Sequence, residues 1–444
     1  MNIINNKSLK ILFATIIGLL LIVYKENAVI HLFAIWGLAV YASSLVAFDI
    51  THPYCWFSIT FALYNTAYTI LYVLGYDVSA GYSGLNAVYT IIAMGIVLFI
   101  VGGVRIDTQN PLKKGIRINP ALNEVVFFLL ALASIAFSII LLRRGYSGKK
   151  DMQAADDIFY KLGVHIVRWM MVLMVIQMNH YFTNGFKKKT IKYLVVSVIA
   201  ASFLSLCTGE RDILFRAVLL IIFILFYYRI IRIRHIFLAI PAGVILMVLS
   251  VYYKYYALRG VRNTRYTTGN LIYQFLMTDF HATGRNTQFL INNLWTKGYF
   301  GIKMFFNELF RGIVPFVSYI NPSNWYNYQV YPGSFKGQAF TLVGFGHVIS
   351  GLSGVILVFI MLGLFIRFTY RNSRKSLYSL SFYLYSISIV AGSYRATLNT
   401  IVNMSIKGAL VGILISWFLS KFTITVRKKR WVINENNRVL RESR

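Results

Sequence analysis

Apolar runs of about 20 residues recur along the whole chain, and a run of that length is what one helical crossing of a bilayer needs. Twelve are readable: 9–24, 28–48, 55–75, 85–104, 122–142, 162–182, 190–207, 212–229, 236–253, 346–367, 375–393 and 404–421. Soluble domains carry about 25% charged residues, and this 444-residue chain has 13% with a mean hydropathy of +0.62. The reading is therefore an all-α, polytopic integral membrane protein with about twelve spans. No small-residue cleavage site follows Tyr24 and Lys25, so the first run is read as a span and not as a signal peptide.

An even count puts both termini on one side, and basic loops choose that side. With the termini inside, the inner loops hold Arg105, Lys113, Lys114 and Arg117, then Lys187 to Lys189 and Lys192. They continue with Arg229, Arg232 and Arg234, then Arg367, Arg371, Arg374 and Lys375, and the tail run Arg427 to Arg430. Much of the net charge of +31 is thus topological and calls for no nucleic acid. The chain divides into spans one to nine (1–253), a large outer loop (254–345), spans ten to twelve (346–423) and a basic inner tail (424–444). Cys55 and Cys207 fall at opposite membrane faces and cannot pair. No P-loop occurs, and the seven histidines lack ligand spacing, so neither an ATP-driven motor nor a His-type metal site is expected.

The outer side departs from the positive-inside bias. The loop 254–345 carries Lys254, Arg259, Arg262, Arg265, Arg285, Lys297, Lys303, Arg311 and Lys336 against Asp279 and Glu308. A smaller loop, 143–161, sets Arg143, Arg144, Lys149, Lys150 and Lys161 against Asp151, Asp156 and Asp157. Such loops suit a polyanion at the outer surface, because arginine forks match phosphate oxygens. Attraction to anionic lipid head groups is the alternative. Three cations lie within spans, Arg168, Arg216 and Lys407. Each costs ~2.5–3.5 kcal/mol at a bilayer centre. All three fall in the first turns of helices running inward, and Arg211 and Arg395 join them at the same level. Asp212 and Arg216 share a face at i,i+4, and His165 and Arg168 at i,i+3. Together these cations read as a site for phosphate carried on a lipid.

Residues 269–311 show helix-like apolar spacing, which fits either a segment lying in the interface or one packed on the spans. Trp325, Tyr328 and Tyr331 are candidates for stacking on sugar rings, although aromatics also favour interfaces. Glu308 and Arg311 read as an i,i+3 ion pair.

Twelve spans, a long outer loop before the last three, a smaller third outer loop and clustered outer arginines resemble the O-antigen (oligosaccharide repeat-unit, Wzy-type) polymerases. Thr208-Gly209-Glu210-Arg211-Asp212, opening an apolar helix, is similar to that family's small-Gly-x-Arg turn. Thr278-Asp279-Phe280-His281 through Arg285-Asn286-Thr287 falls where the family has a charged loop-helix site, and the stretch from Gly333 to Gly346 leads into the tenth span. In one respect the chain departs: eleven residues after Arg143 and Arg259 stand Ala154 and Asn270, where some members have glycine.

The resemblance implies a C-type glycosyltransferase fold at the outer face of a bacterial inner membrane. One undecaprenyl-pyrophosphate-linked chain is transferred onto the next lipid-linked repeat unit, with a chain-length regulator as a further partner. It implies pyrophosphate held by Arg216, Arg259, Arg262, Arg285 and Arg395, with Arg211, Asp279 and His281 as catalytic candidates and no cofactor or metal. The base is left open between Asp279 and His281, with Glu210, Glu308, Asp212 and the acids of loop 143–161 as further candidates. An O-antigen ligase and a lipid-linked oligosaccharide flippase are the rival readings. A flippase prefers short loops and mid-bilayer polar sites, and the charges here sit at one face.

Overall fold

The computed structural model describes residues 6–104, 118–146, 151–152, 155–185, 187–232, 235, 245, 248–249, 271–276, 279–293, 300–314, 322–330, 339–395 and 397–422. Their regular structure is helical throughout. In chain order the helices are α1 (Asn6–Tyr24), α2 (Ala28–Ser44), α3 (Pro53–Val73), α4 (Gly84–Gly102), α5 (Pro120–Arg143), α6 (Ile158–Thr183), α7 (Ile191–Thr208) and α8 (Arg211–Tyr227). Four shorter helices follow, α9 (Leu271–Leu276), α10 (Asp279–Asn293), α11 (Ile302–Ile313) and α12 (Pro322–Val330). The chain then returns through α13 (Leu342–Ser350), α14 (Leu352–Asn372), α15 (Leu377–Ser393) and α16 (Leu398–Leu419).

Seven of these, α1, α4, α5, α6, α7, α14 and α16, are long and apolar enough to cross a membrane. The molecule is a membrane-embedded helical protein. Phe13, Ile17, Leu20 and Val23 on α1, and Val125, Leu129 and Leu132 on α5, are exposed along whole helix faces. Patches of that kind are not left to water and belong against lipid. The centre is the reverse. Met170 to Asn179 on α6 and Tyr383 to Tyr394 around the end of α15 are buried without interruption, as expected of helices enclosed by others.

Serine hydroxyls of α15 are satisfied within their own helix, as a bilayer favours. Ser386, Ser388 and Ser393 of α15 return their hydroxyls to carbonyls three or four residues back, at 2.6–2.8 Å. Across helices, the Asn179 amide donates to Ser381 (3.0 Å) and the Asn123 amide to Ser416 (3.0 Å). Helix starts are set by side-chain caps: Asn27 for α2, Ser83 for α4, Asn119 with Pro120 for α5, and Asp157 for α6.

Two expected boundaries are corrected. The run read as 346–367 is divided at Gly351, whose φ of 65° and ψ of −135° suit glycine alone. The crossing helix is α14, and α13 is a separate short helix folded back on it. The last run begins earlier than 404, at Leu398, because Thr397 takes up the N-cap position. The run at 236–253 lies almost wholly outside the described residues. Cys55 and Cys207 are both free and buried.

Candidate functional site

The site grows from the corner between α7 and α8. Gly209 adopts φ 66°, closing α7 in a left-handed turn, and the Thr208 hydroxyl accepts from the Glu210 amide at 3.2 Å. The stretch 208–212 is therefore a tight helical corner that delivers Asp212 to the first turn of α8, where a negative charge suits the helix N-terminus. One Asp212 carboxylate oxygen accepts from Arg216 at 3.3 Å, one turn along the helix. The other accepts from Arg395, which lies between α15 and α16. One carboxylate thus gathers two guanidinium groups from distant parts of the chain.

Arg216 is only 7% exposed. It also donates to the Gly392 carbonyl (3.3 Å) and contacts the Met404 sulfur. Its Nε is buried without a protein partner among the described residues. Glycine at 392 leaves room for this placement, because a Cβ there would stand 2.9 Å from that Nε and push the Arg216 side chain aside.

From α6, Arg168 donates to Asn403 of α16 at 3.3 Å, and the Trp169 indole donates to the Lys407 carbonyl at 2.7 Å. Residues 404–410 of α16 form a π turn. A π turn disrupts the ordinary i→i−4 ladder and leaves carbonyls wanting donors, and the indole supplies one. Arg168 lies within electrostatic reach of Arg216, Tyr385, Glu210 and Tyr160, and the Tyr160 hydroxyl donates to the Glu210 carboxylate. His165 stacks on Trp169.

α11 closes the group. Glu308 is buried, at 1% exposed, and accepts from the Asn399 amide at 3.3 Å and from the Thr397 hydroxyl. It therefore caps α16, and Arg311 contributes to its surroundings by charge. Beside the charge of Arg311, Glu308 has a long-range role, since only the fold shows that the N-terminus of α16 lies beneath it. Arg311 in turn is within electrostatic reach of Lys407. Five cations, Arg168, Arg216, Arg311, Arg395 and Lys407, thus converge with three carboxylates, Asp212, Glu210 and Glu308. That leaves an excess of positive charge, which suits an anion.

Burial pushes the Glu308 carboxyl from 4.5 up to about 7, against the hydrogen bonds from Thr397 and Asn399 and the charge of Arg311. A carboxyl raised in this way is held best when protonated. Its contribution to stability is complete below pH 4.5, is eroded as pH rises from 4.5 to about 7, and is level above that. Glu308→Gln cannot ionise, so it should melt higher than the parent at pH 8, by about 3 kcal/mol of stability, and alike near pH 4.5. Equal melting temperatures at pH 8 would show that the surrounding cations hold the carboxylate ionised at no net cost.

A second polar group lies along α10, which packs against α3, α4 and α13. His281 Nε2 is 2.6 Å from the Asp77 carboxylate. Burial raises the Asp77 carboxyl, but hydrogen bonds from Ser79 and the pairing with His281 outweigh it and hold it below its usual range. Tyr68 stands beside the His281 ring, and Arg285 is within electrostatic reach of Tyr68. The rest of α10 is anchored by side chains. Gln288 accepts from Asn86 (3.1 Å), Asn292 donates to the Ala80 carbonyl (3.1 Å), and Thr287 meets Thr341 (3.0 Å). Phe280 packs edge-on to Tyr64 and Tyr64 to Tyr394, the residue before Arg395. This aromatic wall joins the two groups.

Of the residues expected from sequence, Arg216 and Arg395 come together, with Arg168 and Lys407 beside them. His281 and Arg285 belong to the α10 group. Arg211 and Asp279 start α8 and α10, but their side chains lie outside the described residues, as do Arg259, Arg262 and Tyr331 entirely. Trp325 is half-buried with its ring edge-on to Phe300 (5.6 Å), so its face is partly committed to packing, whereas Tyr328 is 72% exposed. Asp77, the partner of His281, was not among the expected site residues. A serine two residues after an aspartate marks only a turn, and 204 positions separate it from His281. The chain matches no family model, no curated protein and no solved structure.

Proposed function

We propose that the protein is a membrane glycosyltransferase of the O-antigen polymerase type, joining undecaprenyl-pyrophosphate-linked oligosaccharide repeat units at the outer face of a bacterial inner membrane. In this reading the chain has twelve spans, both termini are cytoplasmic, and 254–345 faces outward. The observation that carries it is the convergence of Arg216 and Arg395 on Asp212 near the start of α8, with Arg168 and Lys407 alongside; these two stand well inside α6 and α16, because both helices begin earlier than their apolar runs suggest. An anion that reaches such a place by way of the bilayer is attached to a lipid.

The acceptor hydroxyl attacks the anomeric carbon of the donor, the bond from that carbon to phosphate oxygen breaks, and the pyrophosphate departs on its lipid. Charge grows on the leaving oxygen in a region of low dielectric, where fixed guanidinium and ammonium groups stabilise it strongly. The hydroxyl proton passes to a base, Asp279 or His281. His281 supports that role because Asp77 orients its ring, as a base is commonly oriented by a third group. The test is the surface glycan of a deletion strain. Loss of long chains with single repeat units still attached agrees with the proposal. Loss of every repeat unit would point to a ligase or a flippase.

A further inference from the structure

Helix α11 has three distinct sides. Met304, Phe305, Glu308 and Gly312 are buried against the bundle, where a Cβ on Gly312 would meet Val402 at 2.7 Å. Ile302, Phe306, Phe310 and Ile313 form a second side at i, i+4, i+8 and i+11, and they are exposed by 51, 50, 55 and 49%. Lys303, Asn307 and Arg311 make a third side at i, i+4 and i+8, with Lys303 exposed and the other two half-buried. At 3.6 residues per turn these sides run parallel along the helix. Glu308, the sole acid of α11, is turned inward and Arg311 reaches the cation cluster, so the exposed charge of the outward polar side is the basic Lys303.

We infer that α11 lies in the plane of the membrane, with its Ile302–Phe306–Phe310–Ile313 stripe in the hydrocarbon of one leaflet and its Lys303–Asn307 side among the head groups. Three features select hydrocarbon as the occupant. First, α11 is docked on the start of α16, a helix long and apolar enough to cross a membrane, so it sits at the end of a span. Second, the helix on which α11 docks has apolar side chains of its own left exposed, Leu410, Leu414, Trp417 and Phe418, as lipid-facing residues are. Third, a basic polar side next to an apolar one is the pattern of helices held at anionic interfaces. This orientation is independent of the catalytic reading. Its consequence is positional: Arg311 and Glu308 belong to a helix at head-group depth, so the edge of the cation cluster that they form stands at the depth of a lipid phosphate.

The test uses the full chain with Cys55 and Cys207 replaced, carrying single spin-labelled cysteines at 303, 306, 307 or 310, in liposomes containing anionic lipid. Collisions with oxygen should dominate at 306 and 310, and collisions with a water-soluble nickel chelate should dominate at 303 and 307. Chelate access at 306 and 310 equal to that at 303 would overturn the proposal, because the stripe would then face water. Exclusion of both reagents at 306 and 310 would also overturn it, because protein would cover the stripe. Using two positions on each side keeps the outcome readable if one label perturbs the fold.

Discussion

Arg216→Ala should abolish polymer formation while the protein still accumulates in membranes. Arg216 stands where three elements meet, donating to Asp212 of its own helix, to the Gly392 carbonyl at the end of α15 and toward Met404 of α16. Removing one preorganised donor at a developing negative charge costs about 10²–10³ in rate. The loss here should reach the upper part of that range, because Asp212 would lose one of the two guanidinium groups that it gathers. The carboxylate would draw Arg395 to itself and leave less positive charge for a phosphate. Arg216→Lys keeps the charge but not the planar fork that reaches two acceptors at once, so it should retain a small fraction of activity. The readout is the length distribution of surface glycan on a gel, with the membrane content of each variant measured beside it. A normal ladder from Arg216→Ala at normal protein level would remove this cluster from the chemistry.

The sequence displays what is local and conceals what is not. Apolar runs are legible because hydropathy alone sets them, and among the described residues helices fall on those runs, except that Gly351 divides one and the last begins at Leu398 and not at 404; seven of these helices are long and apolar enough to cross a membrane. Asp212 and Arg216 show their relation through i,i+4 spacing. Arg395 shows none, being 183 positions away from the carboxylate it shares. The capping role of Glu308 is hidden for the same reason, since the sequence offers only near neighbours such as Arg311 and the N-terminus of α16 is 91 positions off. The π turn at 404–410 is silent, because an extra residue in a helical turn leaves hydropathy unchanged. Helical spacing over 269–311 leaves open whether α10 lies in the interface or packs on the spans. The helix is buried because Asn86, Ser83, Ala80 and Thr341 supply partners for its side chains, a fact of tertiary structure alone.

Gly346→Ala should lower the amount of folded protein sharply, and Gly346→Val should abolish it. At the α13–α14 corner, a Cβ on Gly346 would stand 2.6 Å from the Val355 Cα and 2.9 Å from its backbone nitrogen. On the facing helix, a Cβ on Gly354 would stand 2.1 Å from the Gly346 carbonyl oxygen. The obstructing atoms are backbone, so no side chain can swing aside, and two helices would have to separate. Overpacking of this kind costs about 1–3 kcal/mol or more, a large part of a typical stability of 5–15 kcal/mol. The displacement would not stay at the corner. The Phe300 and Gly301 amides donate to the Val348 and Ile349 carbonyls at 2.9 and 3.0 Å, so α13 fixes the entry to α11. Thr287 bonds to both the amide and the hydroxyl of Thr341, so α13 also fixes α10. Gly37→Ala is the matched control, because no heavy atom lies within 4 Å of a Cβ added there in α2. Alanine in that helix should be neutral or stabilising by up to about 1 kcal/mol. The measurement is the monodisperse peak of detergent-extracted protein and its melting temperature. Wild-type values for Gly346→Ala would mean that α13 and α14 do not cross at these two glycines.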